Sequence, residues 1–336
     1  MGKNIKVKFK FSVGVLFSLL LLVMMTIVII YNYKRTSSII YTMSGEIVDN
    51  SSQVIMQKTE NFLLPVRDIT SFLSKQIDSK DYFQDKENLL ETMWDFMDMY
   101  EQITFIYISD EIGNWVQVRK APELSTRVIN RNNEDPKSHT ETWRYRDKNR
   151  NIISVDTLKP EYDHRVRQWY IDVVDEYRAY WTDVYIFASI GRPGITVSYP
   201  LIDKESSEHF GVISTDITFQ DLSHFLKENS GEYSQTSFII NSKNEIIAHP
   251  NMEELIGNSA MENTRIDDLE EYIKIGYSKL INSRKDNLVY NFKGSNYFIK
   301  TNDFQGLEND WSIITVLPDT LFPYTTLFRS DRKSVV

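Results

Sequence analysis

Cysteine is absent from the 336 residues, which excludes disulfides, Cys-ligated zinc, iron–sulfur clusters and a thiol nucleophile. Glycine (12) and proline (9) are scarce, so collagen-like and low-complexity readings fail. Histidine is sparse too: His139, His164, His209, His224 and His249 are scattered along the chain. There is no HExxH, no G-x-S-x-G and no phosphate loop. Without a catalytic constellation the expectation is a protein that is no enzyme and needs no cofactor or metal. Basic residues are outnumbered, 38 against 47 acidic, and the net charge of −9 argues against a nucleic-acid partner. What is present is 41% apolar and 13% aromatic residues, enough to bury a core in a chain of about two domains.

Long apolar runs are also rare, with one exception. Phe11 to Tyr31 holds no charge, and only Ser12, Ser18 and Thr26 interrupt its apolarity. A helix of that length crosses a hydrocarbon core of about 30 Å. Lys3, Lys6, Lys8 and Lys10 precede it, so the positive-inside rule places residues 1–10 in the cytoplasm. A cleaved signal peptide would have a shorter apolar stretch and a small-residue exit, whereas this run leaves through Ile30-Tyr31-Asn32-Tyr33. The expectation is a transmembrane helix over 11–31 that anchors the chain in the cell (inner) membrane. The remainder then lies on the periplasmic or extracellular side.

The C-terminus has a different origin. Leu321 to Ser330 reads as a translated sequencing adapter, and Asp331 to Val336 as the same adapter on its other strand. Residues 320–336 are therefore set aside as an artefact. The native chain is expected to continue past Asp319 into a second membrane helix and a cytoplasmic output module. Between anchor and tail, residues 36–319 hold 29 basic and 46 acidic side chains, a charge near −17 that favours solubility and disfavours anionic lipid.

Within that stretch the pattern predicts an α+β protein. Residues 36–77 read as a long stalk helix, with Ile69, Phe72, Leu73 and Ile77 on one face and Pro65 as a kink or joint. A second helix covers about 86–100, with Leu89, Met93, Phe96, Met97 and Tyr100 facing inward. Ile103–Ser109 and Trp115–Arg119 form a hairpin, 120–150 reads as a long polar loop, and 164–177 as a helix. Strands Val184–Ser189, Ile195–Ile202 and Phe210–Ile217 follow, with the turn between the first two at Gly191–Gly194. Thr218 caps a short helix. A second unit from Gln235 repeats the order: a hairpin over 238–249, a helix over about 267–281, then strands 287–292, 296–301 and 311–317. FIYISDEIGNWVQV and FIINSKNEIIAHP read as weak copies of one opening hairpin, so two modules on antiparallel sheets are expected, at 78–234 and 235–319.

The stretch Tyr162-Asp-His-Arg-Val-Arg167-Gln-Trp169-Tyr170, followed by Trp181-Thr-Asp183-Val-Tyr185, resembles the YDPRxRPWY…WTDPY signature of double Cache (dCache) sensor domains of bacterial receptors. Gly211 to Ile217 is similar to that family's GVxxxDI strand, and Ile247-Ala-His-Pro250 and Trp311 to Pro318 to parts of its second module. The resemblance implies two PAS-like modules, the membrane-distal one binding a ligand, and signalling as a homodimer through the stalk helix, where Ile40, Met43 and Ile47 form an apolar stripe. It also implies an output beyond the chain of the methyl-accepting, kinase or cyclase type. The family's amino-acid-binding residues fall on Tyr162, Arg167, Trp169, Tyr170, Tyr185 and Asp216, and Asp183 of the WTD motif joins the candidates. Phe187 stands where the family has a further aspartate, and His164 and Gln168 where it has prolines. Arg167 would hold a carboxylate with two hydrogen bonds, Trp169, Tyr170 and Tyr185 would wall the ligand, and Asp216 would accept from an ammonium. The residues alone leave another arrangement open, in which Trp169 and Tyr170 are core and Arg167 pairs with Asp163 or Asp183. An adhesion ectodomain without a small-molecule ligand, and an extracellular enzyme, are the competing functional readings.

Overall fold

A computed structural model describes residues 2–79, 86–131, 135, 138–176, 178–229, 235–252, 255, 264–305, 307 and 310–318. The side chains of residues 2–13, 37, 38, 40, 41, 43, 44, 86 and 176 are outside that description, so the stripe residues Ile40 and Met43 fall outside it, as does the adapter-like tail. Two units result. One carries the N-terminal apolar segment, and the other is Ser52–Asp319.

Helix α1 spans Gly2–Gln76. Over Gly14–Thr36 it is long and apolar enough to cross a membrane, with a mean hydropathy of 2.7, a few residues beyond the expected span. Pro65 lies inside α1 without ending it. Its neighbours Leu63, Val66, Ile69 and Leu73 are all buried, and this packing holds the turn that proline alone would weaken. Ile69, Leu73 and Ile77 face the core as expected, but Phe72 is 51% exposed and only edges onto Phe96. Helix α2, Lys86–Met99, buries Leu89, Met93 and Met97, and also Leu90 and Trp94.

The first sheet has nine strands: β1 Phe105–Asp110, β2 Trp115–Arg119, β3 Ser125–Asn130, β4 Thr140–Arg146, β5 Ile152–Leu158, β6 Tyr180–Trp181, β7 Tyr185–Phe187, β8 Arg192–Ile202 and β9 His209–Thr218. Their order is β5-β4-β3-β2-β1-β9-β8-β6, with β7 also on β8, and every pairing is antiparallel. The expected loop over 120–150 is thus corrected: it contributes β3 and β4, and β5 follows. The expected helix over 164–177 is a 3-10 turn at His164–Val166, capped by Asp163, followed by α3 at Gln168–Glu176. The tight turn precedes Arg192, because β8 already starts there, and Gly191 takes the left-handed conformation at φ +62°. Thr218 caps α4, Phe219–Glu228, through the Asp221 amide.

The second sheet has five strands: β10 Thr236–Ile240, β11 Ile246–Ala248, β12 Asn287–Phe292, β13 Ser295–Asp303 and β14 Ser312–Pro318. Their order is β11-β10-β14-β13-β12, and helix α5, Glu271–Ser283, crosses between the hairpin and β12. That is the order β2-β1-β9-β8-β6 of the first sheet, with three extra strands at one edge of the latter. Both sheets are tied to α1 in the same way. Thr70 donates to Thr215 on β9 at 2.7 Å, and Ser52 donates to Thr315 on β14 at 3.3 Å.

Candidate functional site

Strands expose alternate residues on opposite faces. On β1, β2 and β3 one face is aliphatic, with Ile106, Ile108, Val116, Val118 and Val128. The other carries Phe105, Tyr107, Trp115, Gln117 and Arg127. Both faces are buried, the first in the large core with α1 and α2 and the second under α3. Cross-strand register aligns Tyr107 with Gln117 and Gln117 with Arg127, so a polar row crosses three strands. Phe105 faces Asp216 on β9, and Asp216 faces Thr196 on β8, which extends the polar face toward α3.

A cavity opens over this face. It is lined by Tyr107, Trp115, Gln117, Arg127, Tyr162, Arg167, Trp169, Asp216 and the segment from Tyr185 to Ser189. It is narrow, with a volume of about 30 Å³. One or two waters fit there, and a larger guest requires the rim to open.

Asp216 is 4% exposed. Its Oδ1 accepts from Tyr107 Oη at 2.9 Å and from Thr196 Oγ1 at 2.6 Å. Thr196 has one proton, and spending it on Asp216 makes Tyr185 Oη the donor in their 2.7 Å contact. Burial pushes the Asp216 carboxyl up to about 7, against the pull of these two bonds. No cationic side chain pairs with it among the described residues. Tyr107 and Tyr185 are in turn raised, first by burial and then by the Asp216 charge.

Arg167 follows the 3-10 turn in extended conformation, at φ −95° and ψ 141°. Its guanidinium lies 5.4 Å from the Tyr162 ring centre, and its buried Nε has no hydrogen-bond partner. Neither acid proposed as its structural partner takes that role. Asp163 binds Arg165 at 2.7 Å, and Asp183 binds Lys243 at 3.0 Å. The second cavity arginine is committed: Arg127 pairs with Glu141 at 2.9 Å, both almost fully buried, between the rings of Trp143 and Tyr162. Tyr162 therefore lies against two guanidinium groups, and burial raises its hydroxyl to about 12.

Trp169 closes one wall, edge-on to Tyr107 at 5.0 Å, with Trp115 stacked on Tyr107 at 4.5 Å. Phe187 forms another wall, set against Tyr185 and Phe105. It fits because Gly194 faces it: a Cβ there would meet the Phe187 ring at 2.2 Å. Five of the seven residues singled out in the sequence line the cavity: Tyr162, Arg167, Trp169, Tyr185 and Asp216. Tyr170 and Asp183 are placed elsewhere. Tyr170 is buried behind Trp169 and His164. Asp183 binds Asn241 and Lys243 of the second module's opening hairpin, each at 3.0 Å.

His164, where the family has a proline, is a buried anchor. It is 1% exposed, its Nε2 bonds the Asp110 carbonyl at 2.9 Å, and it stacks on Trp115. The bond makes Nε2 the protonated nitrogen, and burial lowers the imidazole to about 4. It pins the signature segment to the first hairpin. Tyr107, Trp115, Gln117 and Arg127 were missed in the sequence, although a buried polar and aromatic face opposite an aliphatic one was a usable signal. No cluster of three or more metal-ligating side chains occurs among the described residues.

Residues 118–224 match the family model described as methyl-accepting chemotaxis protein-like, first PDC sensor domain. No curated protein matches the chain. Among solved structures, the ligand-binding domain of Campylobacter jejuni chemoreceptor Tlp3 in complex with L-norvaline is similar at TM-score 0.57 and 13% identity, covering 88% of this chain and 96% of that one. The Tlp3 sensory domain with isoleucine bound gives TM-score 0.56, 13% identity and coverages of 83% and 94%. The ligand-binding domain of the Pseudomonas aeruginosa PAO1 amino acid chemoreceptor PctB in complex with L-Arg gives 0.52, 14%, 84% and 90%. The chain thus has the double Cache fold that its sequence resembles.

Proposed function

We propose that this chain is the extracytoplasmic sensing part of a bacterial transmembrane receptor, and that its membrane-distal module binds a small carboxylate or amino-acid-like metabolite. One observation carries the reading: among the described residues, one cavity holds a guanidinium without a carboxylate partner and a buried carboxyl without a cationic one. A half-buried guanidinium and a buried carboxyl that do not pair with each other are costly to keep, and a zwitterion satisfies both. Arg167 takes the ligand carboxylate, Asp216 takes its ammonium, Trp169, Tyr162 and Tyr185 wall it, and Phe187 excludes a second cation partner. The amino acids in the Tlp3 and PctB complexes support this class of ligand. The binding event is recognition, and no reaction is proposed for the described residues.

The apolar helix anchors the chain, and the four lysines before it favour a cytoplasmic N-terminus, which puts the sensor on the periplasmic or extracellular side. Pairing of two copies through residues 36–77 completes the proposal, in line with the receptor architecture. A melting screen of the full chain in detergent, against amino acids, organic acids and amines, tests the reading. A ligand at a hundredfold excess over its Kd stabilises by about 2.7 kcal/mol. Hits confined to carboxylates and amino acids support it, and no hit in any class overturns it.

A further inference from the structure

The cavity carries a third polar group that neither charge explains. Gln117 is 3% exposed and lines the cavity, and its buried Oε1 has no hydrogen-bond partner. Its neighbours along the ladder supply none in this arrangement. Tyr107, beside it on β1, donates to Asp216, and Arg127, beside it on β3, is held by Glu141. A buried amide without a partner destabilises the fold, and a methionine of similar size would not. The missing partner therefore comes from the cavity contents.

We infer that Gln117 is the specificity-determining residue for the ligand's side chain, and that the ligand is an amino acid bearing a hydroxyl or carboxamide. This rests on the reading above and narrows it. A carboxamide both donates and accepts, so it matches a group that does the same. A site built to hydrogen-bond a polar group discriminates strongly against the isostere lacking it.

Calorimetric titration of the full chain in detergent with near-isosteric pairs tests the inference: threonine against valine, and asparagine against leucine. Threonine or asparagine should bind at least about tenfold tighter than its apolar partner. Gln117→Met should erase that ratio by weakening the polar ligand, with the unliganded melting point unchanged or higher. The wild-type ratio decides even if the variant fails to fold. Equal binding within each pair overturns the role of Gln117 and leaves the amino-acid reading standing. A ratio that survives Gln117→Met also overturns it, since the discrimination then lies elsewhere. Absence of binding by all four removes both.

Discussion

The two modules share a strand order and a tie to α1, and they differ at the positions that matter most. Thr215 and Thr315 both bond α1, which fixes the correspondence between β9 and β14. One residue on, Asp216 in the first module meets Val316 in the second. Across the ladders Thr196 faces Asp216 where Ile299 faces Val316. Ile106 faces Thr215 where Ser237 faces Thr315, so Tyr107 corresponds to Phe238. The trio Asp216, Tyr107 and Thr196 is therefore Val316, Phe238 and Ile299 in the second module. These three sit in an apolar core with Ile273 and Leu280 of α5. One sheet packs its helix dry, and the other keeps a buried carboxylate and its donors under the helix. On the proposed function, this difference assigns ligand recognition to the first sheet's helix-covered face and not to the second's.

Converting one module into the other has the largest expected effect. Asp216→Val with Tyr107→Phe and Thr196→Ile gives the first sheet the face of the second. Ligand-induced stabilisation should vanish. The unliganded protein should stay within about 1–3 kcal/mol of the parent, because the loss of a buried carboxyl is set against a Tyr185 hydroxyl left without its Thr196 acceptor. Denaturant unfolding of the full chain with and without a screen hit reads both quantities. Retained ligand stabilisation would break the comparison.

The pH dependence of stability is the next largest effect. The folded Asp216 carboxyl titrates at about 7, above its ordinary 3.8, so between those values the folded protein holds a proton that the unfolded chain has released. Stability from this group is present at low pH and is lost as pH rises through the window, by up to roughly 4 kcal/mol. The unfolding free energy of the wild type should fall relative to Asp216→Asn between pH 5 and pH 8. A difference that does not change over this range would show an ordinary carboxylate. Cationic ligand binding should strengthen over the same range, since it selects the ionised form.

The smallest effect is expected at the junction. Asp183 and Lys243 are partly exposed, and such pairs contribute about 0–1 kcal/mol. Asp183→Ala should lower the melting point by no more than a few degrees and leave ligand affinity within about twofold. A loss of tenfold or more would place Asp183 in recognition after all.

The sequence made much of this arrangement legible, and the limits follow from the period of the strand. Arg167, Trp169 and Tyr162 lie within eight residues of one another, on one turn and the start of one helix, so a local motif contains them. Tyr107, Gln117 and Arg127 sit one to a strand and meet only through register, which no local pattern shows. Strands β4 and β5 were hidden for another reason. β5 is exposed along its whole length and β4 is mostly half-buried, so the alternation that marks a strand is absent. Asp183 was misplaced because its motif neighbour Tyr185 does line the cavity, while Asp183, two residues earlier, reaches the other module.

In the proposed function Arg167 and Asp216 hold opposite ends of one ligand. Calorimetric titration of the full chain, wild type against Arg167→Ala, with the best amino-acid hit at pH 8 tests it most directly. Affinity should fall by about a hundredfold or more, since a buried charge–charge contact costs about 2–5 kcal/mol when truncated. The unliganded melting point should stay close to the parent's, because Arg167 pairs with no acid among the described residues. Binding that survives Arg167→Ala within a few-fold would contradict it.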